Sequence, residues 1–513
     1  MSNSHISPAF HSTPSASIKP VIAALMLASF IGSLGQMIFT TSLPTIVGEF
    51  GGISQMTWVI SGFLLGQTIA LPIFGKIGDL VNRKPLFIGA NILFLFGSTL
   101  GAMATGMTML ITGRALQGIA GGAMMILSQA ITAEVTTVRE RGKYMGIMGA
   151  AFGVASVLGP ILGGWITDHI GWRWGMWLNL PLGLITIFVT LRYMKLESKP
   201  PHFTLDFAGT ACMATATTAI VLLATWGGRD YAWTDSVILT LALLAVVATI
   251  CLVIVEQKVR DPLIPLQLFR SRNFTLATLA GVAVGILMFG TLAYMPTYIQ
   301  MVHSLPASHA GYMMIPLMAG MVVTSMGIGN IVSRFGRYKI YPIIGQVIIA
   351  LALLCLGVLS PQASLITVGA VLALFGFGLG LSMQILILIV QNAFPLHLVG
   401  TATGTNNFFR QVAGTVGSAV VGSIFLTHLH DQLVARLPEA LSQVGDPALS
   451  AQLAQGNGLT PAIVATLPPV VQDAIALSYH HALSPVFFML APLSVLAAIM
   501  LSFITEEQLR ETA

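Results

Sequence analysis

The chain has 513 residues, of which 55% are hydrophobic and only 8% are charged, and its mean hydropathy is +0.86. A soluble domain carries about 25% charged residues, so this composition excludes an ordinary soluble protein. The apolar residues fall in blocks of about twenty, the length that a helix needs to cross the hydrocarbon core of a membrane. The composition therefore predicts an all-α polytopic membrane protein.

The N-terminal segment, residues 1–19, is rich in Ser, Pro and His and is expected to be disordered and cytoplasmic. Fourteen apolar blocks follow, and each is predicted to form one membrane-spanning helix. Residues 428–481 are expected to be an extracytoplasmic loop, and residues 505–513 a cytoplasmic tail. The predicted spans are 20–47, 56–77, 85–105, 108–131, 144–168, 174–194, 207–226, 235–256, 273–299, 309–332, 338–360, 364–390, 399–427 and 482–504.

The distribution of Lys and Arg predicts the orientation, because cytoplasmic loops carry an excess of these residues. An even number of spans places both termini on one side. Eighteen of the 23 Lys and Arg residues then lie on that side, while Arg173, Arg229 and Arg436 lie on the other and Arg114 and Arg410 lie in the membrane. We expect a multi-pass protein of the cell (inner) membrane with both termini in the cytoplasm, and this asymmetry explains the net charge of +5.

An internal repeat relates two short loops. Residues 75–84 (GKIGDLVNRK) follow the second block, and residues 329–338 (GNIVSRFGRY) follow the tenth. Both segments join the second and third helices of a six-helix unit. We predict two six-helix bundles, residues 20–194 and 273–504, with residues 207–256 as an inserted helix pair. Parallel halves of this kind place a substrate site at their interface.

Several segments carry recognisable motifs, and the first is the loop 75–84. The others are 110–122 in the fourth helix, 153–164 in the fifth, and 172–183, 261–269 and 399–411. In these segments the chain resembles the major facilitator superfamily, in its fourteen-helix drug:proton antiporter branch (the EmrB/QacA type). The resemblance covers nearly the whole chain. The loop departs from the superfamily signature at Leu80, where the signature has Arg, and at Asn82, where it has Gly.

The loop after the second helix combines an acid with basic residues. A carboxylate there can pair with a cation or cap the N-terminus of a neighbouring helix. Such a contact would close the cytoplasmic end in one state and release it in another. The residues predicted to form this cytoplasmic gate are Gly75, Asp79, Arg83, Lys84, Arg334 and Arg337.

The fifth helix carries several small residues and a proline. Small residues let two helices approach closely, and proline removes a backbone hydrogen bond and can bend the helix. The resemblance implies that this segment is the antiporter motif, and a bendable close contact suits rocking between the halves. Its residues are Gly153, Gly159, Pro160, Gly163 and Gly164.

Arg114 lies in an otherwise apolar block. An Arg in the membrane faces the interior, a cavity or a partner, because exposure to lipid is costly, and we expect Arg114 to face a central cavity. In the resembled family this arginine is linked to proton coupling, and an Asp accompanies it from the first helix. This chain has Gly35 at that position, and no Asp or Glu lies at the midpoint of any apolar block.

Three accounts of the driving force therefore remain open. In the first, an acid near a helix end, Asp79, Glu134 or Asp206, carries the proton. In the second, coupling is weak or absent, and the protein is a uniporter or an exchanger. In the third, the substrate brings the negative charge, and Arg114 and Arg410 bind it.

The cavity between the halves is expected to be lined by aromatic and polar side chains, which suit an adaptable amphipathic site. Arg410 follows Asn406 by four residues and Asn407 by three, so these side chains share one helical face. The residues predicted to bind substrate or couple transport are Arg114, Gln36, Thr40, Trp58, Gln67, Tyr294, Tyr298, Asn406, Asn407, Arg410 and Gln411.

We therefore expect an alternating-access exporter of amphipathic drugs or similar compounds, driven by the proton gradient. The alternatives are an exporter of lipid or anionic amphiphiles, an uncoupled transporter, and a membrane sensor that transports nothing. The sequence has no phosphate-binding Gly-Lys-Ser/Thr loop, so we expect neither an enzyme nor a cofactor or metal. The expected partners are a small amphipathic substrate and membrane lipid, without nucleic acid, and the chain is expected to be a monomer.

Overall fold

The computed structural model describes residues 18–50, 55–196, 206–228, 230–444, 461–464 and 466–507. In this part of the chain, fourteen helices are long and apolar enough to cross a membrane, which confirms the predicted number. The main helices of these spans are α1 (Ile18–Phe50), α2 (Met56–Leu80), α3 (Arg83–Ala102), α4 (Met107–Val135), α5 (Val138–His169), α6 (Asn179–Tyr193), α7 (Phe207–Trp226), α8 (Ser236–Lys258), α9 (Arg272–Val302), α10 (Ile315–Phe335), α11 (Ile340–Val358), α12 (Leu365–Asn392), α13 (Val399–Val444) and α14 (Pro469–Ser502). The sixth span begins earlier than α6, at Arg173, and the tenth begins earlier than α10, at His309. α1 begins at Ile18, so the predicted disorder of residues 1–19 was wrong for residues 18 and 19, which continue the apolar helix. Residues 1–17 and the tail beyond residue 507 lie outside the described residues.

Local side chains determine where several helices begin. Thr137 and Glu140 form a reciprocal capping box at the start of α5. Asn82 caps α3, because its side-chain oxygen accepts a hydrogen bond from the backbone N–H of Lys84 at 3.0 Å. The departure from the family signature at Asn82 thus has a local role. At the equivalent place in the second repeat, Gly336 ends α10 with a left-handed φ of 72°.

The helices pack in two related sets, as the internal repeat predicts. In the first half α1 packs on α5, and both α2 and α3 pack on α4. In the second half α9 packs on α13, and both α10 and α11 pack on α12. The halves meet where α2 contacts α13 and α5 contacts α10. This equivalence of contacts is the arrangement expected of two related bundles of six helices.

The inserted helices α7 and α8 lie beside one junction of the halves. They pack on each other, and α7 also contacts α2 and α13. The apolar side chains of α8, such as Leu239, Leu243 and Val246, are largely exposed. Exposed apolar side chains on a spanning helix suit contact with lipid, where the helix satisfies its own backbone hydrogen bonds. Within the inserted pair, α7 therefore packs against both halves, and α8 lies on the outer side of α7.

The segment between the last two spans differs from the expected loop. α13 continues to Val444, well past its predicted end at residue 427, and α14 begins at Pro469, before its predicted start at residue 482. Leu429, Val471 and Ile475 in these extensions are buried in the core of the second half. The extensions are helical because they bury apolar side chains, so both helices are longer than the predicted spans and the connection between them is shorter than residues 428–481.

A small polar contact joins α1 to the segment before α6, on the face opposite the Lys/Arg-rich loops. The Glu49 carboxylate lies 2.7 Å from the Arg173 guanidinium and accepts a hydrogen bond from the Trp172 indole at 2.8 Å. The Arg173 guanidinium holds the pKa of the Glu49 carboxyl below its ordinary value, and the Trp172 indole acts in the same direction.

Acidification is expected to weaken this contact. Because the pKa of Glu49 is lowered in the folded protein, its contribution to stability is present above the unfolded-state pKa of about 4.3 and is lost as the pH falls through the lowered value. Glu49 and Arg173 are both partly exposed, so we expect only about 0.5 kcal/mol. Melting curves of wild type and Glu49→Gln between neutral and acidic pH test this expectation. Equal acid sensitivity of the two proteins would contradict it, and the exposed Asp168→Asn variant is the control.

Candidate functional site

Asp79, at the end of α2, holds the two halves together at the Lys/Arg-rich face. Its carboxylate accepts hydrogen bonds from the backbone N–H groups of Gly400 at 3.0 Å and Thr401 at 2.6 Å. The Thr401 hydroxyl donates a third at 2.8 Å. The first N–H groups of α13 have no partner within their helix, and the positive end of the helix dipole lies there. Asp79 of the first half therefore caps a helix of the second.

Arg83 supports this contact from the first half. It is 1% exposed, and its guanidinium lies 2.7 Å from the Asp79 carboxylate and 2.6 Å from the Glu134 carboxylate. It also donates to the backbone carbonyl of Gly78 at 3.0 Å. Two acids thus compensate one buried cation. We call this group of residues the gate cluster; its members are Asp79, Arg83, Glu134, Gly400 and Thr401.

Gly75 and Lys84 contribute in different ways. A Cβ at Gly75 would lie 2.5 Å from the Gly400 carbonyl oxygen, so α2 and α13 approach closely only because both residues are glycine. The Lys84 ammonium donates to the backbone carbonyls of Leu191 at 3.1 Å and Met194 at 2.7 Å. Lys84 therefore binds the end of α6 within its own half, and it has no hydrogen bond or ion pair to the second half among the described residues.

The second half reaches the gate by its backbone. The side chains of Arg334 and Arg337 are exposed, and neither has a hydrogen bond to the first half among the described residues. Instead Arg139, near the start of α5, donates to the backbone carbonyls of Ser333 and Arg334 at 2.7 Å each. The sequence counts Arg139 only as a topology signal, and no local motif distinguishes it. Arg139 thus makes the contact that was predicted for Arg334 and Arg337.

The antiporter motif on α5 has two packed faces. Gly153 faces Met321 of α10 in the second half, where a Cβ would lie 2.9 Å from its methyl group. Gly159 and Gly163 face α1, and a Cβ at Gly163 would overlap the Ile38 carbonyl oxygen. Pro160 lies inside the helix between them. α5 is therefore in close contact with α1 of its own half and with α10 of the second half. A helix along which the halves move relative to each other needs such contacts.

Gly163→Val is expected to destabilise the protein by about 1–3 kcal/mol, the usual cost of overpacking. The added methyl groups would meet the backbone of Ile38 in α1. Gly164→Val is the matched control, because a Cβ at this neighbouring residue meets nothing within 4 Å. The melting temperatures of the two purified variants are compared, and we expect the lower value for Gly163→Val. Equal melting temperatures would contradict the close packing of α5 on α1.

Arg114 lies inside the first half rather than on its surface toward the second half. It is 1% exposed, and its guanidinium lies between the rings of Phe39 and Phe63, at 4.7 Å and 4.3 Å from their centres. It donates to the Gly35 carbonyl at 2.7 Å and to the Gln117 side chain at 3.0 Å. The backbone of Gly35 thus binds the arginine at the position where the resembled family has a carboxylate.

A chain of polar side chains crosses from α4 to α13 above the gate cluster. The Asn407 amide donates to the Gln129 side-chain oxygen at 2.8 Å, and the Arg410 guanidinium donates to the Asn407 oxygen at 2.5 Å. Gln391 of α12 donates to the Gln129 backbone carbonyl at 3.4 Å. No described carboxylate lies within ion-pair distance of Arg410. The structure thus brings together Asn407 and Arg410 with Gln129 and Gln391, the last of which the sequence does not indicate.

Several buried side-chain oxygens near this chain have no hydrogen-bonding partner in the described part of the protein. They belong to Gln384 and Gln391 of α12 and Asn406 of α13. The Asn406 amide nitrogen donates to the Thr278 hydroxyl at 3.2 Å. Buried polar atoms are normally paired, so these oxygens are available to a substrate or to water.

The remaining predicted residues are more dispersed. Gln67 is buried in α2 with an unpaired side-chain oxygen, while Gln36 and Gln411 are partly exposed. Trp58 packs on Trp226 of the inserted pair, with ring centres 5.6 Å apart. The side chain of Thr40 lies outside the described residues.

Tyr294 and Tyr298 lie within the second half. The Tyr294 hydroxyl donates to the Ser418 carbonyl at 3.0 Å. Tyr298 is 7% exposed, and its hydroxyl lies 3.1 Å from the His480 ring nitrogen. These aromatic side chains thus pack α9 against α13 and α14, because apolar rings with a polar tip bury well where the hydroxyl finds a partner.

An apolar cavity of about 460 Å³ lies among α9, α13 and α14. Its lining includes Val282 of α9, Phe409 and Val416 of α13, and Met489 of α14. Met489 is 56% exposed, so the cavity opens to the outer surface of the second half. Its volume and apolar lining are typical of a site for a hydrocarbon group.

Comparison with known proteins places this geometry in a family. A sequence model of the Major Facilitator Superfamily matches residues 25–418. The multidrug transporter protein MdtP of Bacillus subtilis (strain 168) is 36% identical over 437 residues, which cover 84% of this chain and 80% of that protein. Multidrug resistance protein 3 of the same organism is 29% identical over 506 residues, which cover 97% of each.

The fold agrees with solved transporters. The proton:xylose symporter XylE superposes with a TM-score of 0.64 at 15% identity, covering 97% of this chain and 99% of that one. The human organic anion transporter MFSD10 superposes with a TM-score of 0.63 at 15% identity, covering 95% and 100%. The sequence match, the repeated helix packing and the gate cluster all agree, and this multi-pass membrane protein belongs to the Major Facilitator Superfamily.

Proposed function

We propose that this chain is an alternating-access efflux transporter of the cell membrane, which exports amphipathic compounds in exchange for protons and has both termini in the cytoplasm. The gate cluster carries this proposal. A carboxylate of one half binds the N-terminus of a helix of the other half through hydrogen bonds that can break and re-form. The relatives named as multidrug transporters support drugs as the exported class.

The polar chain between the halves supports a substrate site directly above the closed gate. Gln129 belongs to the first half, and Asn407 and Arg410 belong to the second, so rocking of the halves would separate them. The unpaired oxygens of Gln384 and Asn406 offer acceptors to a substrate cation or amine. A site shared between halves changes its shape whenever they move, which is what alternating access requires.

Dye flux in proteoliposomes tests this proposal. Purified protein is reconstituted, and transport of a cationic dye is measured with and without an imposed pH gradient. We expect the gradient to accelerate flux, and Asn407→Ala to reduce it by about tenfold, since it breaks the polar chain at its centre. Arg337→Ala, which changes an exposed side chain, is the control. Equal flux in protein-containing and protein-free vesicles would overturn the proposal.

A second candidate function is export of anionic or lipid-like amphiphiles. Arg410 favours it, because this buried guanidinium has no described carboxylate partner and would attract an anion. The apolar cavity among α9, α13 and α14 offers room for a hydrocarbon tail. An anionic dye in the same vesicles distinguishes the two candidates. Faster flux of the anionic dye, lost in Arg410→Gln, would favour the second.

A further inference from the structure

Two buried carboxylates meet where the inserted helices reach the Lys/Arg-rich face. Asp206 precedes α7 and caps it, with one oxygen accepting from the Gly209 N–H at 2.7 Å. Glu256 lies near the end of α8, with one oxygen accepting from the Ile264 N–H at 3.0 Å. Asp206 is 8% exposed and Glu256 is 5% exposed. Neither residue belongs to the gate cluster or to the polar chain between the halves.

The second oxygen of each carboxylate has no hydrogen-bonding partner among the described residues. Both of these oxygens lie beside Gly209. A Cβ there would be 3.0 Å from the free Glu256 oxygen and would overlap the free Asp206 oxygen. Two acceptor oxygens without a donor thus lie beside the same glycine, where two negative charges would repel each other. A proton on one of them supplies the donor that the arrangement lacks.

A buried cation lies within reach of this pair. Lys76 of α2 is 8% exposed, it has no hydrogen bond among the described residues, and it attracts the Glu256 carboxylate through space. Among the described titratable groups, the thiol of Cys212 on α7 also interacts with Asp206, and the thiol of Cys251 on α8 interacts with Cys212. The pair with Lys76 is thus neutral when it holds one proton and carries one negative charge when it holds none.

The position of the two carboxylates connects them to the gate cluster. Lys76 follows Gly75, whose backbone is in close contact with Gly400 of α13. Glu256 binds the backbone of the linker that leads into α9, and Ile264 of that linker is buried with side chains of the first half. A change in charge at this place therefore alters the attraction among α2, the inserted pair and the entrance to the second half.

We propose that Asp206 and Glu256 form the proton-binding site of this transporter, in which one carboxylate takes up a proton that enters from the extracytoplasmic side and releases it to the cytoplasm when the halves move. The proposal rests on proton-coupled export as the function. It assigns a purpose to the inserted helix pair, which supplies both acids. It also supplies a titrating group to a chain that has no acid at a helix midpoint.

Infrared difference spectra during a pH titration test the site without any transport. We expect wild type to show the C=O band of a buried protonated carboxyl, and Glu256→Gln to lose it. Lys76→Met, which removes the cation, is expected to raise the pH at which the band appears. Asp235→Asn, which alters the cap at the other end of α8, is the control and keeps the band. An unchanged band in Glu256→Gln would overturn the proposal.

Flux measurements then test the role in coupling. Glu256→Gln and Asp206→Asn are expected to lower gradient-driven flux by about tenfold and to retain dye exchange without a gradient. Asn also caps helices well, so Asp206→Asn keeps the start of α7 intact if Glu256→Gln fails to fold. Unchanged gradient-driven flux in both variants would overturn the proposal. Absence of gradient dependence in wild type would instead contradict proton-coupled export, and the infrared result would still decide whether the pair binds a proton.

Discussion

Replacing Asp79 with alanine is expected to open the Lys/Arg-rich face and to reduce transport by at least about tenfold. The change removes three hydrogen bonds to the start of α13 and leaves Arg83 buried with only Glu134 as its acid partner. Hydrogen bonds to a charged group contribute about 1.5–3 kcal/mol each, and these three join the halves only while this face is closed. Losing that much stabilisation of the closed state shifts a two-state equilibrium by more than about a hundredfold. The state with this face closed would therefore cease to dominate.

Electron-spin distance measurements follow this opening directly. Spin labels are placed at two exposed positions on the Lys/Arg-rich face, Lys143 of the first half and His397 of the second. The native cysteines, Cys212, Cys251 and Cys355, are free and are first replaced by serine. We expect the distance between the labels to increase in Asp79→Ala.

The control for this experiment is Asp168→Asn, which neutralises an exposed carboxylate near the end of α5, at the opposite face. It is expected to leave both the label distance and the flux unchanged. A wild-type distance in Asp79→Ala would show that other contacts, such as those of Arg139, suffice to hold the halves together.

Arg114→Ala is expected to destabilise the folded protein by about 3–5 kcal/mol, the range for removing a large buried side chain. The guanidinium fills the space between Phe39 and Phe63 and donates to the Gln117 side-chain oxygen, so its loss leaves a cavity and an acceptor without this donor. A lower melting temperature and less folded protein would be measured in detergent solution.

Arg337→Ala is the matched control, because it removes an exposed arginine and is expected to change stability by less than about 0.5 kcal/mol. A wild-type melting temperature in Arg114→Ala would contradict the structural role. Arg114→Met tests the coupling role separately, since it keeps most of the volume without the charge. Gradient-driven flux that survives in Arg114→Met would contradict the coupling role that the family resemblance implies.

The sequence predicts most of the fold because the membrane imposes simple rules. Each span needs about twenty apolar residues, so composition alone gives the fourteen helices. The repeat of residues 75–84 at 329–338 predicts the two equivalent bundles, since related sequences bury related faces. The ends of α13 and α14 could not be predicted in this way. Their extensions bury apolar side chains in the core of the second half, and the hydropathy of the sequence does not indicate that packing.

The gate was predictable in part. Asp79 and Arg83 follow from the motif of residues 75–84, in which an acid at a helix end is followed by basic residues. Their partners Glu134, Gly400 and Thr401 are distant in sequence, and only packing brings them together.

By itself, the sequence determined that this chain crosses the membrane fourteen times and contains two related halves with an inserted pair, because hydropathy and repetition are local properties. Only the tertiary structure decided which groups compensate the buried charges. Arg114 binds a backbone carbonyl where the resembled family has an acid, and Asp206 meets Glu256 across a helix pair. Electrostatic pairing depends on distances of a few ångströms between residues far apart in the chain, and the packing of the helices sets those distances.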